Sequence, residues 1–181
     1  NALKEASIEA TKDLILPVAQ QKDDKELPQP QPVAVYCMRL PDGKAAKKKA
    51  PYIIHQVITG KDIKNTSTAM IRTIFCVYHP DEQEGGLALL NLMERLRIAL
   101  LEQGIIGKQF RLDTDAGLEQ LVYPEDTAPY YAGEMISVWK LPAIERKVPY
   151  GKEGHSGIHP RGVGAGCQEP CDGRFYGHPR P

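Results

Sequence analysis

The residues best equipped for chemistry lie near the C-terminal end of this chain. His155 and His159 are four apart, as are Cys167 and Cys171. Imidazole and thiolate are ligands for tetrahedral zinc, and the cysteine spacing falls within the range of structural sites. The stretch around them, residues 151–181, is rich in Gly, Pro and His and nearly free of aliphatics. Such a sequence cannot bury a core, so a disordered tail is expected. Three readings stand side by side: a tail without ligand, a zinc clip on His155, His159, Cys167 and Cys171, or a Cys167–Cys171 disulfide. No cofactor is expected.

A second pair is Cys76 and His79, which invites a nucleophile and its base. Both belong to an extended run, where residues three apart point to opposite faces, so they are not expected to meet. Asp81, Glu82 and Glu84 cluster where a helix begins, and the helix dipole accounts for them. Asp113, Asp115, Glu125 and Asp126 fall in turns, where Asp is at home. No dinucleotide-binding glycine motif, Walker loop, Gly-x-Ser-x-Gly or His-Glu-x-x-His occurs. The expectation is a protein that is not an enzyme, with a small hydrolase using His79 and neighbouring acids as a rival.

Lys44, Lys47, Lys48 and Lys49 form a basic loop. It could touch phosphates or an acidic surface, or simply be solvated. No aromatics interleave with the lysines, so there is no platform for stacking bases. A nucleic-acid-binding module built on this loop is the rival reading from another class.

The elements that position these residues are set by hydrophobic period. Residues 70–78 alternate and are rich in β-branched and aromatic types, which predicts a strand. The acidic turn follows, with Asp81 and Glu84 resembling a capping box. A helix is predicted over Glu82–Gln103, with Gly104 placed to end it. Period two returns at 110–112, 118–123 and 135–139. Before the central strand, further strands are predicted over 33–40 and 52–60, with a polar loop over 61–67. His55, alone in the second of these, is expected to be a structural hydrogen-bonder. Cys37 and Cys76 are expected to be buried thiols of a reduced, cytoplasmic protein. A first helix is predicted over 3–18, ended near Pro17. Its apolar face is narrow, so it needs a surface to dock on. Pro28, Pro30 and Pro32 favour an extended spacer.

The domain plan is therefore a helix in residues 1–19, a linker in 20–32, an α+β domain in 33–150 and the tail in 151–181. The expected fold is a mixed or antiparallel sheet of about six strands with one long helix packed across it, plus the N-terminal helix. Core candidates are Ile71, Phe75, Leu89, Leu92, Met93, Leu96, Leu100, Phe110, Leu112, Ile136 and Val138.

The chain has 181 residues, 23 basic and 23 acidic, and is 41% hydrophobic. That suits one domain with a proper core. Zero formal charge gives no global drive toward nucleic acid or membrane. It also gives weak colloidal protection, which suits a protein that lives assembled.

The strand Ile71-Arg72-Thr73-Ile74-Phe75, the turn Asp81-Glu82-Gln83-Glu84-Gly85-Gly86 and the helix from Leu89 to Arg97 together resemble the tail terminator proteins of tailed bacteriophages. Ile106 to Leu112, Pro129 to Ile136, Trp139 and Pro142 extend the resemblance. It implies a structural protein of the virion tail or neck, assembled in the cytoplasm of a bacterial host. It implies a hexameric ring of identical subunits, with tail tube protein below and a neck or head-completion protein above. DNA would pass through the pore without specific binding, and no membrane is involved. Ring contacts require two different patches on each subunit. The acidic residues Asp81, Glu82 and Glu84 and the basic residues Lys44, Lys47, Lys48 and Lys49 are the candidates, opposite in sign. The N-terminal helix and the tail 151–181 lie outside the resemblance.

Overall fold

In chain order the elements are helix α1 (Ala2–Thr11), strands β1 (Ile15–Leu16), β2 (Gln31–Pro32), β3 (Ala34–Cys37), β4 (Tyr52–Ile63) and β5 (Thr66–Tyr78), helix α2 (Glu82–Gln103), and strands β6 (Ile105–Ile106), β7 (Phe110–Leu112), β8 (Leu118–Val122) and β9 (Tyr130–Leu141). The computed structural model describes residues 1–19, 29–41, 49–64, 66–124 and 128–142, all within the compact unit Asn1–Glu145. The zinc candidates His155, His159, Cys167 and Cys171, the tail 151–181, and Lys44, Lys47 and Lys48 lie outside the described residues.

The fold is α+β. Seven strands form one mixed sheet in the order β3-β4-β5-β9-β7-β6, with β8 also on β9. Strand β3 runs parallel to β4, and the other pairings are antiparallel. Strands β1 and β2 form a separate two-stranded ladder. Long pairing makes β5 and β9 the backbone of the sheet, from Ser67↔Leu141 to Tyr78↔Tyr130.

Helix α2 begins and ends where its sequence dictates. Asp81 is the N-cap, its carboxylate accepting from Gln83 N at 2.9 Å and Glu84 N at 3.0 Å. The reciprocal half of the expected capping box is made differently: Asp81 N donates to His79 Nδ1 at 3.2 Å rather than to Glu84. Gly104 closes the helix with φ 61°, a left-handed conformation that glycine adopts without strain, and its N–H reaches Leu100 O.

The i, i+3, i+4 row Leu89, Leu92, Met93, Leu96 and Leu100 is buried. It packs on the inner face of the sheet, where Ile53, Phe75, Val77, Met135 and Trp139 meet it. Leu96 and Phe75 have no accessible surface. At roughly 2–5 kcal/mol for truncating one such leucine, this interface is the main stabiliser of the fold. Gly133 lets it close: a Cβ there would sit 2.9 Å from both Leu121 O and Met93 Sδ.

Several expectations are corrected. Ile136 and Val138 are only partly buried and face away from α2, while Met135, Ser137 and Trp139 point into the core. Both parities of that strand carry large apolar residues, and a shift of one residue exchanges the faces. Ser137 is tolerated inside because Trp139 Nε1 donates to its hydroxyl at 3.0 Å. Ile71 and Phe110 are at the margin of the core, partly buried. Residues 61–67 are not a polar loop, since β4 and β5 stay paired out to Ile63↔Thr66. The first helix stops at Thr11 instead of running to residue 18, and the chain turns into β1. Its buried positions are Leu3, Ala6, Ser7 and Thr11, while Ile8 is exposed. It docks on α2, β3 and β6 of its own chain. Gln31–Pro32 of the expected spacer is strand β2, paired to β1. Cys76 is buried as expected, but Cys37 is exposed at the end of β3.

Candidate functional site

Among the sequence-derived candidates, Asp81, Glu82 and Glu84 lie together on the first turn of α2 and are exposed. Two backbone N–H bonds, from Glu84 first and Gln83 second, hold the Asp81 carboxyl below its ordinary pKa. The cap thus keeps a negative charge on this corner. Lys49 is the one lysine of the basic loop among the described residues, and its Nζ donates to Pro41 O at 2.6 Å.

Cys76 and His79 are not brought together. Cys76 is in the small cluster on the outer face of the sheet with Leu40, Ala50, Tyr52 and Ile54. His79 Nδ1 is occupied by Asp81 N–H at the start of α2. That histidine is a capping element rather than a base aimed at a cleft.

A Ser–His–Thr array does exist elsewhere. Ser7 Oγ lies 2.8 Å from His55 Nε2, and His55 Nδ1 lies 3.0 Å from Thr73 Oγ1. Ser7 spends its one proton on Leu3 O at 2.8 Å. The imidazole therefore donates from Nε2 to Ser7 and accepts at Nδ1 from Thr73. The spacing imitates a nucleophile, base and orienting group, but the chemistry does not follow. Ser7 has no accessible surface. Thr73 carries no charge to stabilise an imidazolium, which is the role of the third group in a hydrolytic triad. Burial pushes the His55 pKa down to about 4, so the ring stays neutral. The array fastens α1 to the sheet, as the structural reading of His55 expects.

Three surface features were not signalled by any motif. On the outer face, Arg72 Nε donates to Glu134 Oε2 at 2.5 Å, Arg72 Nη2 to Tyr123 Oη at 2.9 Å, and Tyr123 Oη to Glu134 Oε2 at 2.7 Å. Arg72 and Glu134 are diagonal neighbours across β5 and β9, so the register of the long pair brings them together. Beside α1 lies an open apolar cavity of about 440 Å³, bounded by Leu3, Val57, Ile71, Phe110, Trp139 and Leu141. The third feature is on α2. Leu87, Leu90, Ile98 and Leu101 are 43–60% exposed and form a second, interrupted apolar stripe, two i, i+3 pairs with the Glu94–Arg97 ion pair between them. At 100° per residue this stripe lies opposite the buried row.

Among the described residues no group of His, Cys, Asp and Glu is arranged to hold a metal ion, and no helix is long and apolar enough to cross a membrane. No protein-family model matches the chain, and no curated protein matches it either.

Proposed function

We propose that this chain is a structural subunit, without enzymatic activity, of a ring that caps the tail tube of a phage or phage-like particle and joins it to the neck or head. The observation that carries the reading is the double-faced helix α2. One stripe, from Leu89 to Leu100, is consumed by the core. The opposite stripe, Leu87, Leu90, Ile98 and Leu101, remains in water. Exposed apolar side chains grouped on one side of a helix mark an interaction surface; here they stand as the pairs Leu87/Leu90 and Ile98/Leu101, with the Glu94–Arg97 ion pair between them. The tail terminator resemblance implies a small subunit of helices and sheet, and the α+β domain is compatible with that.

In this reading the partners are further copies of the chain, tail tube protein and a neck or head-completion protein. The ring is a hexamer, and DNA passes its pore unread. The protein belongs to the virion and is assembled in the bacterial cytoplasm. The charged corner at Asp81, Glu82 and Glu84 sets register between subunits more than affinity.

The test is capping. Purified tube protein is polymerised with and without this chain and imaged by negative-stain electron microscopy. Tubes that end in a ring and stop growing in its presence support the proposal. Unaltered length distributions and bare ends overturn it.

A further inference from the structure

The two edges of the main sheet match each other. Strand β3 forms one edge; on the other side β9 carries β8 along Gly133–Ser137 and β7, continued by β6, along Trp139–Lys140, and among the described residues no strand pairs with the far side of β3 or β8. Following the ladders across the sheet, Val122 stands opposite Gly133, Phe75, Ile53 and finally Val35. Gln120 likewise stands in line with Met135, Thr73, His55 and Cys37. The register shift between β4 and β5 falls at Val57/Thr59, outside these rows. Both edges therefore lie at the same level along the strand direction. One parallel and three antiparallel pairings separate them, so β8 runs opposite to β3.

Main-chain directions agree as well. Ala34 N donates to Pro51 O and Met38 N to His55 O, so the even-numbered residues of β3 face β4. Val35 and Cys37 consequently turn their N–H and C=O groups outward. Tyr123 N donates to Ala132 O, so the odd-numbered residues of β8 face β9. Gln120 and Val122 turn theirs outward by the same alternation. Cys37 O also accepts from Arg39 N at 2.9 Å, which leaves its second lone pair. Side-chain faces match too: Val35 and Val122 belong to the face that carries α2, Tyr36 and Leu121 to the other. Neither edge carries a proline, a bulge or an inward-pointing charge of the kind that blunts an edge strand.

We propose that β8 of one copy pairs antiparallel with β3 of the next, with Val122 opposite Val35 and Gln120 opposite Cys37. This inference rests on the ring reading and gives it a specific joint. The interface is heterologous, using two different edges of the same sheet. Because the two edges differ, each copy can offer β8 to one neighbour and β3 to another, the head-to-tail contact that a ring requires. Its hydrogen-bonded pairs place Cα atoms about 5.5 Å apart, within disulfide range.

The test uses the full chain carrying Gln120→Cys with Cys167→Ser and Cys171→Ser. Cys37 is exposed and Cys76 buried, so Cys37 is the available native partner. The chain is oxidised with copper phenanthroline and run on a non-reducing gel, while particle mass is measured on the reduced sample. The expected result is a ladder of covalent species extending beyond dimer, abolished by Cys37→Ser. Val35→Cys with Val122→Cys gives the same ladder and covers the case in which Gln120→Cys fails to fold. A ring mass with no ladder, or with dimer alone, overturns the β8–β3 joint and leaves the ring standing. A monomer mass at high concentration, alone and with tube protein, overturns both.

Discussion

His55 Nε2 lies 2.8 Å from Ser7 Oγ, and through that contact the N-terminal helix is fastened to the second strand of the sheet. The ring is buried and neutral, with its pKa pushed down to about 4. An unfolded chain binds a proton at this residue near pH 6.5, and the folded chain does not until far lower. The stability contributed by the neutral ring is complete above about pH 6.5 and is lost as pH falls toward 4. At about 1.4 kcal/mol per pH unit the loss approaches ~3 kcal/mol. Denaturant unfolding of the parent and His55→Gln between pH 7 and pH 4.5 checks this. The parent's advantage should shrink as pH falls; an advantage that is flat or grows contradicts it.

Ser7→Ala strips the buried Nε2–H of its acceptor. The loss expected for leaving such a donor unsatisfied is roughly 1–3 kcal/mol. Removing both groups, with Ser7→Ala and His55→Leu together, should cost less than the two single losses combined. A double-mutant cycle on unfolding free energies measures the coupling, and zero coupling contradicts the hydrogen-bond assignment.

Gly133→Ala tests the approach of α2 to the sheet. Its Cβ would meet a backbone carbonyl, Leu121 O, and the Met93 sulfur at 2.9 Å each. The backbone on one side cannot yield without breaking the β8–β9 ladder. Overpacking of this kind typically costs 1–3 kcal/mol, on the order of a melting-temperature drop of several degrees. An unchanged melting temperature contradicts the close approach.

The outward stripe of α2 should separate assembly from folding. Leu90→Lys combined with Ile98→Glu changes two exposed positions. Such surface changes usually stay within about 0.5 kcal/mol in a monomer. Thermal unfolding is expected to move little, while the assembled species disappears in size-exclusion chromatography with light scattering. Retained assembly contradicts a role for this stripe in contact between subunits.

Legibility in the sequence followed physical specificity. Helix α2 was fully legible because a cap, an unbroken apolar period and a terminal glycine all agree. Strand β5 was legible over residues 70–78, where β-branched residues alternate, but not in its first residues from Thr66, where the polar sequence reads as a loop. The face of β9 was not, because Ile136 and Val138 on one parity compete with Met135 and Trp139 on the other. What decides is the register with β5, which sets Met135 beside Thr73 and Gly133 beside Phe75 on the face that carries α2, a long-range pairing that period alone does not encode. The end of α1 was misplaced because Ile15 and Leu16 suit a helix and a strand equally well, and pairing with Gln31–Pro32 settles it. Of the candidate surfaces, the acidic corner was legible from the dipole argument. The sheet edges were not, since which strands lie outermost is a property of topology.

In the proposed function this chain works as one subunit of a hexameric ring. Native mass spectrometry of the full chain at high concentration, alone and mixed with tube protein, tests it most directly. A ring gives one closed species at six times the subunit mass, without intermediates that grow indefinitely with concentration. A particle that stays monomeric under both conditions contradicts it.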